Sequence, residues 1–536
     1  MKRHLRFLFA LIAGTLLGWS SLYVPAPVES NAAGFSAVRA YADIEAIARS
    51  PHSTWDQASL ANVRNYLCRR LSSLGLKPDI QSYPEVTDRR GYRYPLVNIS
   101  ASIPGKSGSS ILLVSHYDSA HPPPANRGNS CGAADDGYGV AAMLEIAGLI
   151  AKAKAPMENG VRFLFTDAEE SGLLGAKAEM SRNLAAYRDV NMVINLEARG
   201  IKGPAVMFET GTNNFAVIQL FREAHWPFAF SLAADVYRKM PNGTDFSEFI
   251  GKGFNGLNFA VLEDLSYYHT SADNPQNISL RSLQHYGEQI LPVVLTYTQN
   301  SRYSGEHAFT SSQNMVYFTW LPKVFLAWSS TQDRILCIGL ILAFCVWSAM
   351  GVARGTVKPK AFILWFLGWA GVAVASLGIG LGISMLLSKA SGIRWRITYT
   401  PNLPLERPLF WALLLALALI AYALATRFGK KHPGNRSALG GAMCLNLAMM
   451  LVMMSLLPGG TYLFSLPVLV SLAALLLADL TKRPAFALAG VVFTVSVFIP
   501  LLYMFFLALT MGALGVILLL AVFPFALAGS LAGQSK

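Results

Sequence analysis

The chain is short of charge: 14% of its 536 residues are Asp, Glu, Lys or Arg, while 53% are hydrophobic. Soluble domains carry about 25% charge, so much of this chain is expected to avoid water. Acid is scarcest toward the carboxyl end, where residues 335–536 hold only Glu406 and Asp479 against 14 basic residues. Residues 24–334 hold 29 acids and 27 bases, and residues 1–23 hold Lys2, Arg3 and Arg6 with no acid. The net charge of +13 therefore sits between apolar runs and not on a basic groove. A nucleic-acid partner loses its main support. Cysteine is sparse too, at five. Cys337, Cys345 and Cys444 fall in apolar runs, where Cys behaves as a small apolar residue. Cys68 and Cys131 could pair in an oxidising compartment, but no disulfide is expected.

What is abundant is long apolar sequence. Met1–Arg6 is a basic lead into the run Phe7–Val24, which approaches the length of a spanning helix. It reads as a signal-anchor (residues 1–24), with a cleaved signal ending near Ala32–Ala33 as the alternative. Further spans are expected near 335–353, 361–387, 409–426, 438–457, 465–480, 485–507 and 511–532, the fifth short and the last pair kinked at Pro500. That makes a polytopic membrane domain over 335–536, joined by a linker at 311–334 to an exported domain at 25–310. With the amino terminus inside, the connections at 354–360, 427–437 and 481–484 place their Lys and Arg in the cytoplasm, as the positive-inside rule asks. The connection 388–408, with Lys389, Arg394, Arg396 and Arg407, breaks that rule. The chain is thus expected in a lipid bilayer, the cell or inner membrane if bacterial, with residues 25–310 on the extracytoplasmic side. No chain of ionisable residues marks a transport path. Asp479 reads as an interfacial carboxylate.

The exported part alternates short apolar runs with helical patterns. Ile111–Ser115, Val161–Thr166 and Val190–Leu196 read as buried strands, Gly137–Ala151 and Ala176–Ser181 as helices. This alternation predicts an α/β fold with a mostly parallel sheet flanked by helices. Polar motifs stand just beyond the carboxyl ends of the strands, where open α/β sheets place their sites. They are Ser115-His116-Tyr117-Asp118, Gly132-Ala133-Ala134-Asp135-Asp136-Gly137, Thr166-Asp167-Ala168-Glu169-Glu170-Ser171-Gly172 and Asn195-Leu196-Glu197-Ala198-Arg199-Gly200. Tyr267-Tyr268-His269-Thr270-Ser271-Ala272-Asp273 comes later in the chain. Each alone is weak, since a lone His is usually structural and paired acids are usually a solvated turn. Together they crowd carboxylates at one cleft, and a divalent cation is the natural compensation. Two His with several carboxylates and no Cys suit zinc in a hydrolytic site. The number of candidates suggests two ions sharing a carboxylate, with one further carboxylate left as general base.

These five motifs, in this order over about residues 40–300, resemble metallopeptidase family twenty-eight, the di-zinc exopeptidases. An amino-terminal span and a polytopic tail further resemble its endoplasmic reticulum metallopeptidase and vacuolar membrane protease branch. The resemblance implies a zinc-exopeptidase fold and two Zn2+ ions. His116 and Glu197 would hold the first ion, Glu170 and His269 the second, and Asp135 both. Asp118 would orient His116, and Asp136 would follow Asp135 through a linkage that the family often makes cis. Glu169 would be the general base, and Tyr268 would donate to the oxyanion or else simply pack. The implied activity is removal of amino-terminal residues from peptides. Soluble aminopeptidases of the family usually have Asp where Glu197 stands, which leaves carboxyl-terminal trimming open. Relatives that cyclise amino-terminal glutamine generally lack the ligand equivalent to His116. A receptor, scaffold or transport subunit retaining the fold is the non-enzymatic alternative, though no ligand or base is missing here.

Other residues read as bland. His121, in His121-Pro122-Pro123-Pro124, is a rim residue, and Asp245, in Gly243-Thr244-Asp245-Phe246, a structural residue near the substrate. His225, His285 and His307 have no supporting context. Asn98 and Asn277 match the glycosylation pattern. Nothing in the sequence bears on oligomeric state.

Overall fold

Ser110–His116 is fully buried along its length. Its residues divide between two apolar layers: Ile111 and Leu113 join the cluster of Ile44, Val140, Met143 and Ile290, while Leu112 and Val114 join Leu164, Phe246 and Phe249. Alternate strand side chains point to opposite faces, so a strand apolar at every position must be covered on both. That burial makes it the centre of a sheet with helices above and below.

The computed structural model describes residues 2–88, 91–121, 129–400, 403, 405–431 and 435–534. Pro122–Pro124 lie outside the described residues, as do parts of the connections expected at 388–408 and 427–437. The chain divides into two compact units, Tyr23–Thr319 with Lys323–Ala327, and Met1–Leu22 with Trp320–Pro322 and Trp328–Lys536.

In the first unit, seven strands form one sheet: β1 (Asp79–Thr87), β2 (Arg93–Ile103), β3 (Ser110–His116), β4 (Gly160–Thr166), β5 (Val190–Ala198), β6 (Val206–Thr210) and β7 (Gly256–Val261). Their order is β1-β2-β4-β3-β5-β7-β6. The inner four, β4-β3-β5-β7, are parallel, and the flanking strands pair antiparallel. The α/β architecture and mixed, centrally parallel sheet expected from the sequence are present. Helices Ala37–Ile47, Gly137–Ala153 and Leu280–Gln299 carry the larger apolar layer. Helices Leu174–Arg182 and Asp245–Ile250 contribute to the smaller. Within the segment expected as a linker, Met315–Leu321 and Val324–Ser329 pair as a two-stranded ribbon. All five cysteines are free thiols. Asn98 is fully buried and donates to the Gly175 carbonyl and to Glu179, so it cannot carry a glycan.

In the second unit, six helical stretches among the described residues are long and apolar enough to cross a membrane. They are Ser330–Ala353, Pro359–Ala390, Glu406–Arg427, Ser437–Leu456, Pro458–Thr481 and the 48-residue stretch Ala485–Ala532. The last is divided at a turn, Thr510–Ala513. Pro500 lies inside helix Ala485–Leu509, and the division falls at Thr510, with φ 58°, between the spans expected at 485–507 and 511–532. The helix expected to be short runs over 20 residues, Tyr462–Thr481. The amino-terminal helix, Lys2–Ser20, packs on Ala485–Leu509 through Gly14 and Gly18. A Cβ at these two positions would lie 2.8 Å from the Val492 carbonyl oxygen and 2.6 Å from that of Ser496. Small residues four apart allow this close approach of two apolar helices. Asp479, expected at an interface, forms a two-pronged ion pair with Arg436 at 2.8 and 2.6 Å.

Candidate metal centre

Each strand of the parallel core delivers its polar motif to the same edge. His116 is the last residue of β3, and its Nδ1 donates to the Asp118 carbonyl at 2.9 Å. That bond fixes the ring tautomer and turns Nε2 inward. The Asp118 carboxylate lies 3.4 Å from the same Nδ1, but its oxygens also accept the N–H groups of Glu169 and Glu170 at 3.0 and 3.3 Å. Asp118 thus orients His116 largely through its backbone and uses its side chain to hold the turn after β4. Ala168, at the head of that turn, has φ 56°, and His269 has φ 55°. Left-handed backbone at non-glycine residues is costly and clusters at functional sites.

Asp135 and Asp136 share a cis peptide bond. Asp136 caps helix Gly137–Ala153: one carboxylate oxygen accepts the Gly139 N–H at 3.0 Å, the other the Ser115 hydroxyl at 2.5 Å. A Cβ on Gly139 would fall 2.3 Å from that carboxylate, so glycine is required there. With Asp136 so engaged, Asp135 is the member of the pair that faces the cleft.

Around Asp135 the geometry has two halves. Its Oδ1 lies 3.4 Å from His116 Nε2, which is 3.7 Å from Glu197 Oε2. Its Oδ2 lies 3.2 Å from His269 Nε2, which is 3.0 Å from Glu170 Oε1. Ligand atoms of His116, Asp135 and Glu170 lie within 4.8 Å of one another. His116 Nε2, Asp135 Oδ2, Glu170 Oε1 and His269 Nε2 are buried without a hydrogen-bond partner. Buried polar atoms are rarely left unsatisfied, and atoms of these types so grouped could hold a metal ion. Imidazole nitrogen and carboxylate oxygen are what zinc accepts, so the residues present fit such an ion.

The electrostatics agree. Burial pushes the Glu169, Glu170 and Glu197 carboxyls above the ordinary range, and neighbouring carboxylates add to the effect. Burial would lower His116, but Asp118, Asp135, Glu169 and Glu197 together hold it well above its usual value. His269 is raised the same way, chiefly by Glu170 and Asp135. Burial opposes ionisation of Asp135, and the two histidines nonetheless hold it below the usual range. The cluster has more buried acid than its two histidines can balance, and a divalent cation supplies the difference.

The eight residues singled out from the sequence therefore converge. Tyr268 stacks on His269 with ring centroids 3.7 Å apart. Asp245 accepts a hydrogen bond from Thr166 at the end of β4, which makes it a support of that strand end. His285 is fully engaged, accepting the Ala205 N–H and donating to the Trp226 carbonyl, both within 3.0 Å. His225 pairs with Glu288 at 3.0 Å.

Sequence reasoning gave no role to several residues that shape the centre. Asp273 accepts the Ala134 N–H at 2.7 Å and the Ser130 hydroxyl at 3.0 Å, and so holds the loop that presents Asp135. Its place four residues after His269 was the available signal. Behind Glu197 runs a buried chain across three strands. Asn195 donates to Glu197 Oε1 at 3.2 Å and to Asn258 Oδ1 at 3.0 Å. Asn258 donates to Glu209 Oε2 at 2.8 Å and to Thr244 Oγ1 at 2.9 Å. Carboxylates at both ends accept, which fixes the direction of both amides. Nothing local in the sequence marks Asn258 or Glu209.

Glu209 carries a stability consequence. Burial pushes its carboxyl up to about 7, although the Asn258 donor and Arg238 oppose this. An unfolded glutamate titrates near 4.3 (about that value in model peptides), so folding takes up a proton in this window. The stabilisation is full below about pH 4.3 and is lost as pH rises through about 7. Glu209→Gln, whose carbonyl still accepts from Asn258, is expected to flatten the fall in melting temperature between pH 5 and 7.5. Melting of the full chain in detergent with saturating zinc checks it, and parallel curves for the two proteins would sink it.

Residues 98–294 match Peptidase family M28. Endoplasmic reticulum metallopeptidase 1 of Rattus norvegicus is 26% identical over 340 residues, covering 62% of this chain and 37% of that protein. The vacuolar membrane protease of Clavispora lusitaniae is 28% identical over 377 residues, covering 65% and 35%. Among solved structures, the glutaminyl cyclase of Porphyromonas gingivalis is 22% identical with a TM-score of 0.41, covering 49% of this chain and 99% of that one. The chain spans about a third of the length of the curated relatives it matches. The region bearing the carboxylate and histidine cluster thus matches Peptidase family M28, in a chain similar to an endoplasmic reticulum metallopeptidase and a vacuolar membrane protease.

Proposed function

We propose that the chain is a membrane-anchored aminopeptidase that holds two zinc ions and acts on peptides outside the cytoplasm. On this reading residues 1–24 are an anchor, 25–310 the peptidase domain, 311–334 a linker and 335–536 the membrane domain. The observation that carries it is the division of Asp135: one oxygen faces His116 and Glu197, the other faces His269 and Glu170. His116, Glu197, Glu170 and His269 would hold the ions with Asp135 between them, and such a pair would supply two-metal hydrolytic chemistry.

When bound, the ions supply the Lewis acidity that activates water and polarises the scissile carbonyl. The chain's residues do the rest. Glu169, held by Asp118 through its backbone N–H, takes the proton from the attacking water and returns it to the leaving amine. Tyr268, stacked on His269, donates its phenol to the oxygen on which charge develops.

A peptide panel tests this with the full-length protein in detergent. Free-amine peptides and their carboxyl-amidated forms are expected to lose amino-terminal residues, and amino-acetylated forms to resist. Release from the carboxyl end, or cyclisation of Gln-first peptides without cleavage, would overturn the aminopeptidase reading. Zinc binding with no turnover of any peptide would favour the non-enzymatic one.

A further inference from the structure

Two of the most exposed large side chains of the first unit touch each other: Trp55 is 55% and Tyr92 51% exposed, with ring centroids 5.4 Å apart. Tyr94 and His121 complete a cluster around Trp55, at 6.4 and 5.7 Å. Single exposed apolar residues need no explanation, whereas a contiguous patch marks a binding surface.

The patch is at the mouth of the metal centre. Thr54, next to Trp55, shares a 2.8 Å hydrogen bond with Ser171, the residue after Glu170. His52 N–H donates to Ser119 at 2.9 Å, and His121 follows Asp118 by three residues. The β1–β2 hairpin reaches the same level by register. Ile99 of β2 faces Phe165 of β4, so residues 94–97 continue beyond the carboxyl end of β4 at about 3.4 Å each. Asp167 receives the Val97 N–H at 3.0 Å, which fastens the hairpin beside the turn that carries Glu169 and Glu170.

The opposite side of the cleft differs. There Tyr237 packs edge-on against Phe208 with centroids 4.8 Å apart, near the buried acids Glu197 and Glu209. Phe208 and Tyr237 are each half-buried there, and the acids behind them are buried. The Trp55 side is open and aromatic, which suits the chain leaving the scissile bond.

Resting on the aminopeptidase reading, we propose that Trp55, Tyr92, Tyr94 and His121 form a subsite for the downstream part of the peptide. It takes an aromatic or large apolar side chain at the second or third position. Ring-on-ring contact with an exposed Trp and Tyr sets the scale, about a tenfold preference for Phe over Gly there.

The test holds the first residue at Leu and compares kcat/KM for peptides with Phe or Gly at positions two and three. The wild-type ratio is expected near ten (order of magnitude) and near one in Trp55→Ala and in Tyr92→Ala. These residues lie on different segments and are exposed, so both variants should fold. A wild-type ratio near one, a ratio unchanged in both variants, or a change in first-residue preference instead would overturn the proposal. A patch serving lipid or a second copy of the chain would give the unchanged ratio. The same peptides with a reduced scissile bond, titrated by calorimetry, read the subsite without turnover. If no peptide is hydrolysed but the reduced Phe peptides still bind tenfold tighter and lose this in Trp55→Ala, the catalytic reading fails and the subsite stands.

Discussion

Glu169→Gln is expected to abolish peptide hydrolysis while leaving zinc content unchanged. The side chain keeps its size and its backbone keeps the hydrogen bond to Asp118, so the turn after β4 should hold its shape. What is lost is a group that can accept a proton and give it back. General acid–base catalysis is worth about 10²–10⁴-fold, and one residue serving both transfers puts the loss toward the upper end. Metal analysis beside kcat/KM for a free-amine peptide separates this from a binding defect. Zinc lost together with activity would place Glu169 among the ligands. Activity within tenfold of wild type would remove it from the chemistry.

The strand cores and the site they carry were legible because both rest on local signals. Ile111–Ser115, Val161–Thr166 and Val190–Leu196 are apolar runs too short for helices and bounded by polar motifs. The structure extends each by one or two residues, to Ser110–His116, Gly160–Thr166 and Val190–Ala198. His116, Glu170 and Glu197 stand at or just past those ends, Asp135 stands just before helix Gly137–Ala153, and His269 is flagged by its polar neighbours. The antiparallel flanks were not legible. β1 and β2 are half exposed and mixed in polarity, and their place beside β4 depends on pairing between residues far apart in sequence. Tertiary partners hid Asp273, Asn258 and Glu209 in the same way, because each acts on a loop or strand remote in the chain. Asp118 was assigned the right neighbour and an incomplete means: its carbonyl meets His116, and its carboxylate serves Glu169 and Glu170. The division of the last apolar stretch near residue 510 was legible from the spans 485–507 and 511–532, and Pro500 stays inside the first of the two helices because a proline inside a membrane helix can be accommodated by neighbouring helices.

Asp135→Asn should have the largest effect on metal affinity, and its comparison with Asp273→Asn distinguishes a shared ligand from its support. Asparagine keeps one carbonyl oxygen and replaces the other with an amide that cannot ligate. Since the two oxygens face different histidines at 3.4 and 3.2 Å, either orientation leaves one half of the centre without its anion. Asp273 lies one layer out, holding Ala134 and Ser130. Loss of an outer hydrogen-bonding partner costs about 10–100-fold in metal affinity or activity, and Asp273→Asn should fall in that range. Asp135→Asn should exceed it and lower the zinc stoichiometry as well as the affinity. Competition with a chelator, read alongside zinc content per chain, checks both. If Asp135→Asn bound zinc with wild-type stoichiometry and affinity, Asp135 would not be the bridge. If Asp273→Asn were as damaging as Asp135→Asn, the loop, more than the ligand, would be setting the affinity. A graded result, large for Asp135 and intermediate for Asp273, follows from a centre in which one carboxylate is divided between two sites and a second carboxylate holds it in place.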